Sequence, residues 1–201
     1  MRKLITINRQ FGSGGREVGK RLADELQIAY YDKELISKIS NETGLCDDYI
    51  SQYEETAISR YYPFTFGRTF AFEYSVPQNT IYIAQTKVIK KLAHMQDCVI
   101  IGRCANYILG DEAFKVLIYS SDMDKRIDRC YDKVPADRDK SRDEMKKMIN
   151  SVDKKRARYY DFYAGEKWLD INNYNLCIDT AKISIQDAVK LIAEAIENCE
   201  E

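Results

Sequence analysis

A glycine-rich turn near the start of the chain constrains the fold more than any other feature. It follows residues 4–8, a short apolar segment with β-branched side chains that predicts a strand. The turn itself contains Gly12, Ser13, Gly14 and Gly15. Beyond it, apolar residues recur at helical spacing at Val18, Leu22, Ala23 and Leu26. Small residues let successive backbone N–H groups face an anion, with a helix N-terminus behind them. The pattern therefore predicts a strand, a phosphate-binding loop and a helix.

The motif lacks a lysine at the place where such loops usually carry one. Residues 14–20 match G-x-x-x-x-G-K literally, but the helical pattern puts Gly19 and Lys20 inside the helix, so we interpret this match as accidental. In the register that respects strand and helix, Gly15 occupies the lysine position and Arg16 comes next. Arg16 can serve as the cation near the β- and γ-phosphates, because a guanidinium binds phosphate bidentately.

Two other interpretations of the loop stay open. Gly12 and Gly14 follow a strand, and Asp32 lies about 20 residues further on, which also fits a dinucleotide-binding turn with a ribose-binding acid. Against this, Glu17 occupies the position of the third glycine. A purely structural glycine turn is the third interpretation.

Strand-like and helix-like segments alternate along the rest of the chain. Further short strands are predicted at residues 28–31, 97–101, 114–119 and 174–178, with helices between them. Alternation of this kind predicts an α/β fold, because parallel strands need crossover connections. We expect a single domain over residues 1–201 with the three-layer P-loop fold, in which about five parallel strands have helices on both faces.

In such a sheet, ligands bind at the carboxyl ends of the strands. That rule brings four parts of the chain to one edge: residues 8–16, Asp32, Gly102–Arg103 and Asp179–Thr180. The sequence therefore predicts a site at this edge, built around the glycine turn.

Two segments depart from the alternation. Residues 45–80 are crowded with tyrosine and phenylalanine and carry Arg60 and Arg68. We interpret them as an inserted acceptor-binding lobe, in which the aromatic rings face a base and the arginines face a phosphate; an aromatic mini-core is the alternative. Residues 133–160 are rich in charge and are the predicted lid. Within them, Ser141 and Glu144 have the spacing of a capping box that opens a long helix.

The predicted helices of the second half carry most of the candidate cations. A helix that starts with Ser121 and Asp124, in capping-box-like spacing, places Arg126 and Arg129 one turn apart on one face. The long helix ends in the basic residues 154–158. Asp153 could hold Arg156 in place there, or it is a solvated helix charge, and the basic stretch could equally be a solvated face.

Composition excludes several classes of function. The formal net charge is −1 and the pI is near 6.0, so no global positive field recruits nucleic acid or an anionic membrane. The apolar run at residues 4–7 is too short for a signal peptide and no later stretch could span a bilayer, so we expect a cytoplasmic protein. Six cysteines without a C-x-x-C pair and a single histidine make a zinc site unexpected. The sequence predicts nothing about oligomeric state.

Four motifs in order along the chain are similar to those of a known family. They are ITINRQFGSGGREVG at residues 5–19, YDKE at 31–34, IGR at 101–103, and IDT at 178–180 followed by Ser184-Ile185. Along nearly its full length the chain thus resembles the cytidylate kinase-like family of P-loop nucleoside monophosphate kinases. Two departures stand out: Cys104 follows the Gly-Arg pair where cytidylate kinases have an acidic residue, and the lid motif survives only as residues 153–156.

The resemblance implies a kinase that uses ATP and Mg²⁺ and transfers the γ-phosphate to a small nucleotide, with CMP or dCMP as the first choice. It implies that Gly12, Ser13, Gly14, Gly15 and Arg16 bind the ATP phosphates. It places Asp32 and Arg103 on the acceptor side; Arg60 and Arg68 are further acceptor candidates from the residue pattern of the lobe alone. The lid and catalytic arginines would be Arg126, Arg129, Arg156 and Arg158. We take Arg16, Arg126, Arg156 and Asp153 as the catalytic candidates, and Arg129 and Arg158 as further cofactor-binding ones.

Two alternatives to this function remain. The first is a nucleotide-binding regulatory module that lost catalysis together with the lysine of the loop. The second is an NAD(P)-binding oxidoreductase, which follows from the dinucleotide-binding interpretation of the turn.

Overall fold

The computed structural model describes residues 3–32, 78–133 and 139–199. Its strands are β1 (Leu4–Arg9), β2 (Ala29–Tyr31), β3 (Cys98–Ile101), β4 (Phe114–Tyr119) and β5 (Leu176–Asp179). Its α-helices are α1 (Gly15–Leu26), α2 (Gln78–Met95), α3 (Ala105–Leu109), α4 (Met123–Lys133), α5 (Arg142–Ala164) and α6 (Ile185–Asn198). Two 3₁₀ turns, Gly110–Glu112 and Ile171–Asn173, complete the described elements.

The five described strands form one parallel sheet in the order β2-β3-β1-β4-β5. The predicted α/β fold is therefore confirmed. The order also decides against the dinucleotide-binding alternative. In the Rossmann order β2 lies beside β1, whereas here β3 separates them and β1 lies at the centre between β3 and β4. The NAD(P)-binding interpretation of the turn is wrong for this reason.

Helices cover both faces of the sheet because the strands carry apolar side chains on both faces. On one face, Ile5 and Ile7 of β1 pack with Val18 and Leu22 of α1 and with the apolar stripe of α6. On the other face, Leu4 packs with α2 and α3. Buried strands of this type read as continuous apolar runs, as the sequence of β3 does.

Helices α4 and α5 form a third packed unit at the carboxyl edge of the sheet. Its core is built around Phe11 from the glycine turn, which contacts the apolar stripes of both helices. The predicted capping box is confirmed: Ser141 accepts a hydrogen bond from the Glu144 amide, and the Glu144 side chain accepts one from the Ser141 amide. Phe11 thus fixes the turn to this helix pair through apolar contacts.

The start of α4 differs from the sequence prediction. Asp122 caps the helix, because its Oδ1 accepts hydrogen bonds from the Asp124 and Lys125 amides at 2.9 and 3.2 Å. The hydroxyl of Ser121 instead donates to Asp179 at the end of β5, at 2.6 Å. The expected Ser121 cap is wrong because a tertiary contact occupies that side chain.

Several predictions fall on residues outside the described part of the chain. They are any helix between the predicted strand at 28–31 and the lobe, and most of the lobe at 45–80, including Arg60 and Arg68. Residues 78–80 of that lobe belong to α2. Of the predicted lid, residues 142–160 lie in α5.

Candidate active site

The glycine turn runs from the end of β1 to the start of α1 and is hydrogen-bonded to Ile118 of β4. The Gln10 amide donates to the Ile118 carbonyl at 3.0 Å. The Ser13 hydroxyl donates to the carbonyls of Gln10 and Ile118 at 2.8 and 3.0 Å. Ser13 is fully buried, and its amide also donates to the Gln10 carbonyl at 3.3 Å, so the residue stabilises the turn from within.

Two glycines of the turn have backbone conformations that favour glycine. Gly12 has φ 75° and Gly14 has φ 83°. A Cβ on Gly12 would lie 2.8 Å from the Arg126 carbonyl oxygen, and one on Gly14 would lie 2.5 Å from Ile185 Cδ1. Conformation and backbone contact both exclude a side chain at Gly12; at Gly14 the conformation disfavours one, and the Ile185 side chain would have to shift to admit it.

Helix α1 begins directly behind the turn without a side-chain cap. Its N-cap is Gly14, which has no side chain to bond the first amides, and the Val18 amide is the first to bond back, to the Gly14 carbonyl at 3.0 Å. The first N–H groups of a helix lack internal acceptors and carry a partial positive charge. An anion at this helix end is therefore stabilised.

The carbonyl oxygens of residues 9 and 11–13 accept hydrogen bonds from side chains of α4, α5 and the residue after β5. Arg156 donates to the Arg9 carbonyl at 2.9 Å, Arg126 to the Phe11 carbonyl at 2.8 Å, and Arg129 to the Gly12 carbonyl at 2.8 Å. The Thr180 hydroxyl donates to the Ser13 carbonyl at 2.7 Å. Because the carbonyls at these positions are held by α4, α5 and the end of β5, the turn is fixed before any ligand binds.

Asp153 of α5 lies at the same place. One of its carboxylate oxygens accepts from the Phe11 amide at 2.7 Å, and the other pairs with Arg126. We expected Asp153 to hold Arg156; its hydrogen-bond partners in the structure are Arg126 and the amide of Phe11. The guanidinium of Arg156 lies 5.7 Å from the centre of the Phe11 ring.

Arg16 and Asp32, assigned to different substrates by the resemblance, are in direct contact. Arg16 lies in the first turn of α1 and its Nε donates to Asp32 Oδ2, while the Tyr30 hydroxyl donates to the same oxygen at 3.5 Å. Burial lowers the pKa of Arg16, but Asp32 raises it more and the net shift is upward. Burial is also the main cause that raises the pKa of Tyr30 to about 12. Arg16 thus remains charged and half exposed at the mouth of the turn.

Arg103 lies at the end of β3, in a turn with unusual backbone geometry. Gly102, Arg103 and Cys104 have φ of 69°, 60° and 54°. The Arg103 carbonyl accepts from the buried amide of Gln85 in α2, and the Arg9 guanidinium lies beside Gly102. A left-handed conformation at non-glycine residues costs free energy and concentrates at functional sites.

The structure brings together most of the predicted site residues that it describes. Gly12 to Arg16, Asp32, Arg126, Arg129, Arg156 and Asp153 are joined by the contacts above. Arg158 is exposed on α5, and none of the described residues hydrogen-bonds to it. Lys20 is exposed within α1, so the literal motif match at residues 14–20 is accidental, as expected.

Arg9, Gln10 and Phe11 have no role that the sequence patterns predict. Gln10 accepts from the Ser120 amide at 3.0 Å through its side chain, and so joins the turn to the end of β4. Arg9 is the last residue of β1 and could have been found from the rule that sites form at the carboxyl ends of strands. No sequence signal distinguishes Phe11 from an ordinary core residue.

The arrangement fits a phosphate-bearing ligand. Four arginines contact the turn or lie at the start of the helix behind it, and two of them are paired with carboxylates. Guanidinium groups and an uncapped helix N-terminus both favour phosphate. Among residues 3–32, 78–133 and 139–199, no cluster of three or more His, Cys, Asp or Glu side chains could hold a metal ion.

The model of the cytidylate kinase-like family matches residues 4–182. The chain belongs to this family. Membership supports a nucleotide kinase as the class of activity and places the glycine turn, α4 and α5 inside the matched region. No match was found among the curated proteins.

Solved structures agree with the fold. A crystal structure of an uncharacterized protein from Eubacterium ventriosum ATCC 27560 has a TM-score of 0.73 and 26% identity, covering 98% of this chain and 99% of that one. Shikimate kinase from Bacteroides thetaiotaomicron has a TM-score of 0.57 at 15% identity, with 97% and 98% coverage. Shikimate kinase from Aquifex aeolicus has a TM-score of 0.50 at 16% identity, with 100% and 98% coverage. The shikimate kinases are similar in fold alone.

None of the helices in the described part of the chain combines the length and the apolar character that crossing a bilayer would require.

Proposed function

We propose that this member of the family is an ATP- and Mg²⁺-dependent phosphotransferase that moves the γ-phosphate of ATP to a nucleoside monophosphate, with CMP and dCMP as first choice. The observation that carries the proposal is the glycine turn, whose carbonyls are bonded by three arginines and whose far side opens on an uncapped helix N-terminus. Phosphoryl transfer asks little covalent chemistry of the protein and depends on positioning and charge neutralisation.

The turn binds the ATP phosphates through its backbone. In this proposal the amides of Gly14, Gly15 and Arg16 point towards the β- and γ-phosphates, because the carbonyls of residues 9 and 11–13 are held on the other side. Arg16 takes the part of the missing lysine. Its Nε is bonded to Asp32, which leaves the two terminal nitrogens of the fork for phosphate.

The acceptor lies on the side of Asp32 and Arg103. Both residues follow strands, β2 and β3, that are neighbours in the sheet, so their ends meet at one edge. Arg103 supplies a cation for the acceptor phosphate and Asp32 a carboxylate for acceptor groups or for a Mg²⁺ that the nucleotide phosphates also bind. The lobe at residues 45–80, with Arg60 and Arg68, and the lid at 133–160 complete the proposed acceptor site within one domain. A cytoplasmic location fits these substrates.

A coupled ADP-release assay tests the activity. ATP·Mg²⁺ is held at saturation and CMP, dCMP, UMP, AMP, GMP and shikimate are supplied in turn. We expect the highest acceptor-dependent kcat/KM for CMP or dCMP. The control is Gly14→Ala, whose added Cβ would meet Ile185; it should raise the KM for ATP about tenfold if the signal belongs to this chain and not to a contaminating kinase.

The regulatory module remains the second candidate, because Gly15 stands at the lysine position and Arg16 is already paired with Asp32. Saturable ATP binding without turnover of any acceptor would establish the module and reject the kinase. Preference for a different monophosphate would reject only the cytidylate assignment. Failure to bind ATP at all would reject both candidates.

A further inference from the structure

Both backbone polar groups of Phe11 are bonded to one pair of charged side chains. The Phe11 amide donates to Asp153 at 2.7 Å, and the Phe11 carbonyl accepts from Arg126 Nε at 2.8 Å. Arg126 and Asp153 are themselves ion-paired. The three contacts close a ring around a single residue at the start of the glycine turn, with one partner from α4 and the other from α5.

The pair is buried, which separates it from ordinary surface ion pairs. The side chains of Arg126 and Asp153 are 5% and 15% exposed. In this position Arg126 uses Nε and one terminal nitrogen on protein partners, and the negative charge of Asp153 is compensated by Arg126. A buried guanidinium engaged in this way positions the turn instead of contacting a nucleotide directly.

The Phe11 side chain reinforces the same connection. Its ring is 4% exposed and packs with Ile127 of α4 and Met145 and Ile149 of α5. Backbone and side chain of one residue are thus both held by the helix pair. The peptide that follows leads directly to Gly12 and Gly14, so a change in the position of Phe11 moves the amides that face the phosphates.

We propose that Arg126 and Asp153 are positioning residues that set the phosphate-binding geometry of the turn through the backbone of Phe11, and that they couple α5 to nucleotide affinity. The proposal rests on the proposed function for the identity of the ligand. It changes the roles expected from the sequence, since both residues then act on ATP through the turn and not by touching it.

The test compares Asp153→Asn with Asp161→Asn. Asn keeps the size of Asp153 and one acceptor oxygen for the Phe11 amide, but removes the charge opposite Arg126. Asp161 lies on the same helix, accepts from the Trp168 amide and from Lys167, and has no contact with the turn, so it is the matched control. Each variant is measured as the full chain for amide hydrogen exchange without ligand, ATP·Mg²⁺ affinity by calorimetry, thermal unfolding, and KM for both substrates.

We expect Asp153→Asn to speed amide exchange in residues 9–15 and to raise the Kd and KM for ATP about tenfold, the effect of weakening one charged hydrogen bond. The KM for the acceptor should stay unchanged. Asp153→Glu, which restores the charge, should recover part of the affinity. Asp161→Asn should change neither the exchange of the turn nor the ATP affinity.

Three outcomes would overturn the positioning role. In the first, Asp153→Asn loses stability, but its amide exchange in residues 9–15 and its ATP affinity match those of Asp161→Asn. The ion pair would then be merely structural. The second is a rise in acceptor KM alone, which would place Asp153 on the acceptor. The third is loss of ATP affinity without any change in the exchange of residues 9–15, which would mean direct contact with the nucleotide.

The exchange measurement separates this proposal from the proposed function. If the wild-type chain bound no ATP while Asp153→Asn still loosened the turn, the nucleotide kinase would be rejected and the positioning of the turn would stand. If the wild type bound and phosphorylated normally but the variant left both exchange and affinity unchanged, only the positioning role would fail.

Discussion

At the scale of single residues, the arginines around the turn have different partners and so different uses. Arg16 pairs with a carboxylate, Arg129 bonds a backbone carbonyl, and Arg126 does both. A guanidinium can do this because it has five donors in a fixed planar fork, whereas an ammonium is a point charge. Lysine would therefore replace Arg126 poorly even where it conserved the charge.

Gly14→Ala should weaken both ATP binding and the fold. The substitution forces a left-handed conformation on alanine and places its Cβ 2.5 Å from Ile185 Cδ1. Conformational strain costs about 1–2 kcal/mol and overpacking a similar amount. We expect the free energy of unfolding, measured in urea, to fall by about 2–4 kcal/mol on these grounds. ATP affinity should fall on the order of tenfold, because the N-terminal amides of α1 shift.

Gly165→Ala is the matched control for that variant. Gly165 has φ 70° as the C-cap of α5, and a Cβ there would meet nothing within 4 Å. It should cost only about 1 kcal/mol of conformational strain and leave ATP affinity unchanged. Equal losses of ATP affinity in the two variants would show that the effect of Gly14→Ala comes from lowered stability and not from the turn.

The roles of these arginines could be predicted only in part. Helical spacing correctly placed Arg126 and Arg129 on one face of a helix, and their proximity to the turn followed from the family resemblance. Their acceptors are backbone carbonyls of the turn, which lie more than a hundred residues away in sequence. Every residue has such a carbonyl, so the sequence contains no signal that distinguishes these from any other.

At the scale of elements, local signals succeeded where local contacts decide the structure. The capping box predicted the start of α5 at Ser141, which accepts from the expected amide, and Ser184 likewise accepts from the Asp187 amide at the start of α6. The same reasoning failed for α4, because Ser121 bonds Asp179 from β5 and Asp122 takes the cap. A cap is predictable until a distant residue competes for its side chain.

Ser141→Ala should destabilise the chain by about 1 kcal/mol, the usual effect of losing an N-cap. The Ser141 hydroxyl accepts from the Glu144 amide at 3.3 Å and donates to its carboxylate at 2.8 Å. The Ser141 amide, and after it the Ser141 hydroxyl, donate to the Glu144 carboxylate and so lower the pKa of Glu144, which is exposed. Urea unfolding at neutral pH measures the change.

Ser151→Ala provides the comparison within the same helix. Ser151 is exposed in the middle of α5, where alanine is the better helix former, so this variant should be neutral or more stable by about 0.5 kcal/mol. A similar loss in both variants would contradict the cap and would point to a general sensitivity of α5 to alanine.

At the scale of the whole molecule, a chain of buried polar side chains connects elements on both sides of the central strand. Asn8 at the end of β1 donates to Asn106 of α3 at 3.1 Å and to the Tyr174 hydroxyl at 2.9 Å. Asn106 donates to Tyr160 of α5 at 2.8 Å, and Tyr174 donates to the Trp168 carbonyl at 2.5 Å. The network joins β1, α3, α5 and the segment before β5.

Sequence periodicity predicted the layers of the fold but not this network. Apolar runs identified the strands, and their alternation with helices required a parallel sheet. Asn8 was placed at the binding edge of the sheet, whereas its amide is buried and faces α3. Partners 98 and 166 residues away decide its role, and only the folded chain brings them together.

Tyr174→Phe tests whether the network stabilises the molecule as a unit. Burial is the main cause that raises the pKa of Tyr160 to about 12 and that of Tyr174 further still, so both hydroxyls keep their protons at neutral pH. Removing the Tyr174 hydroxyl leaves the Asn8 amide and the Trp168 carbonyl each one partner short, which should cost about 1–3 kcal/mol of unfolding free energy. The control Tyr107→Phe, at a residue 46% exposed, should change the free energy of unfolding by about 0.5 kcal/mol or less.

The double variant Tyr160→Phe/Tyr174→Phe tests cooperativity within the network. Its loss of unfolding free energy should differ from the sum of the single losses by about 0.5 kcal/mol or more, because Asn8 and Asn106 connect the two hydroxyls. Strict additivity in urea unfolding would mean that two independent hydrogen bonds, and not one cooperative network, connect α5 to the central strand.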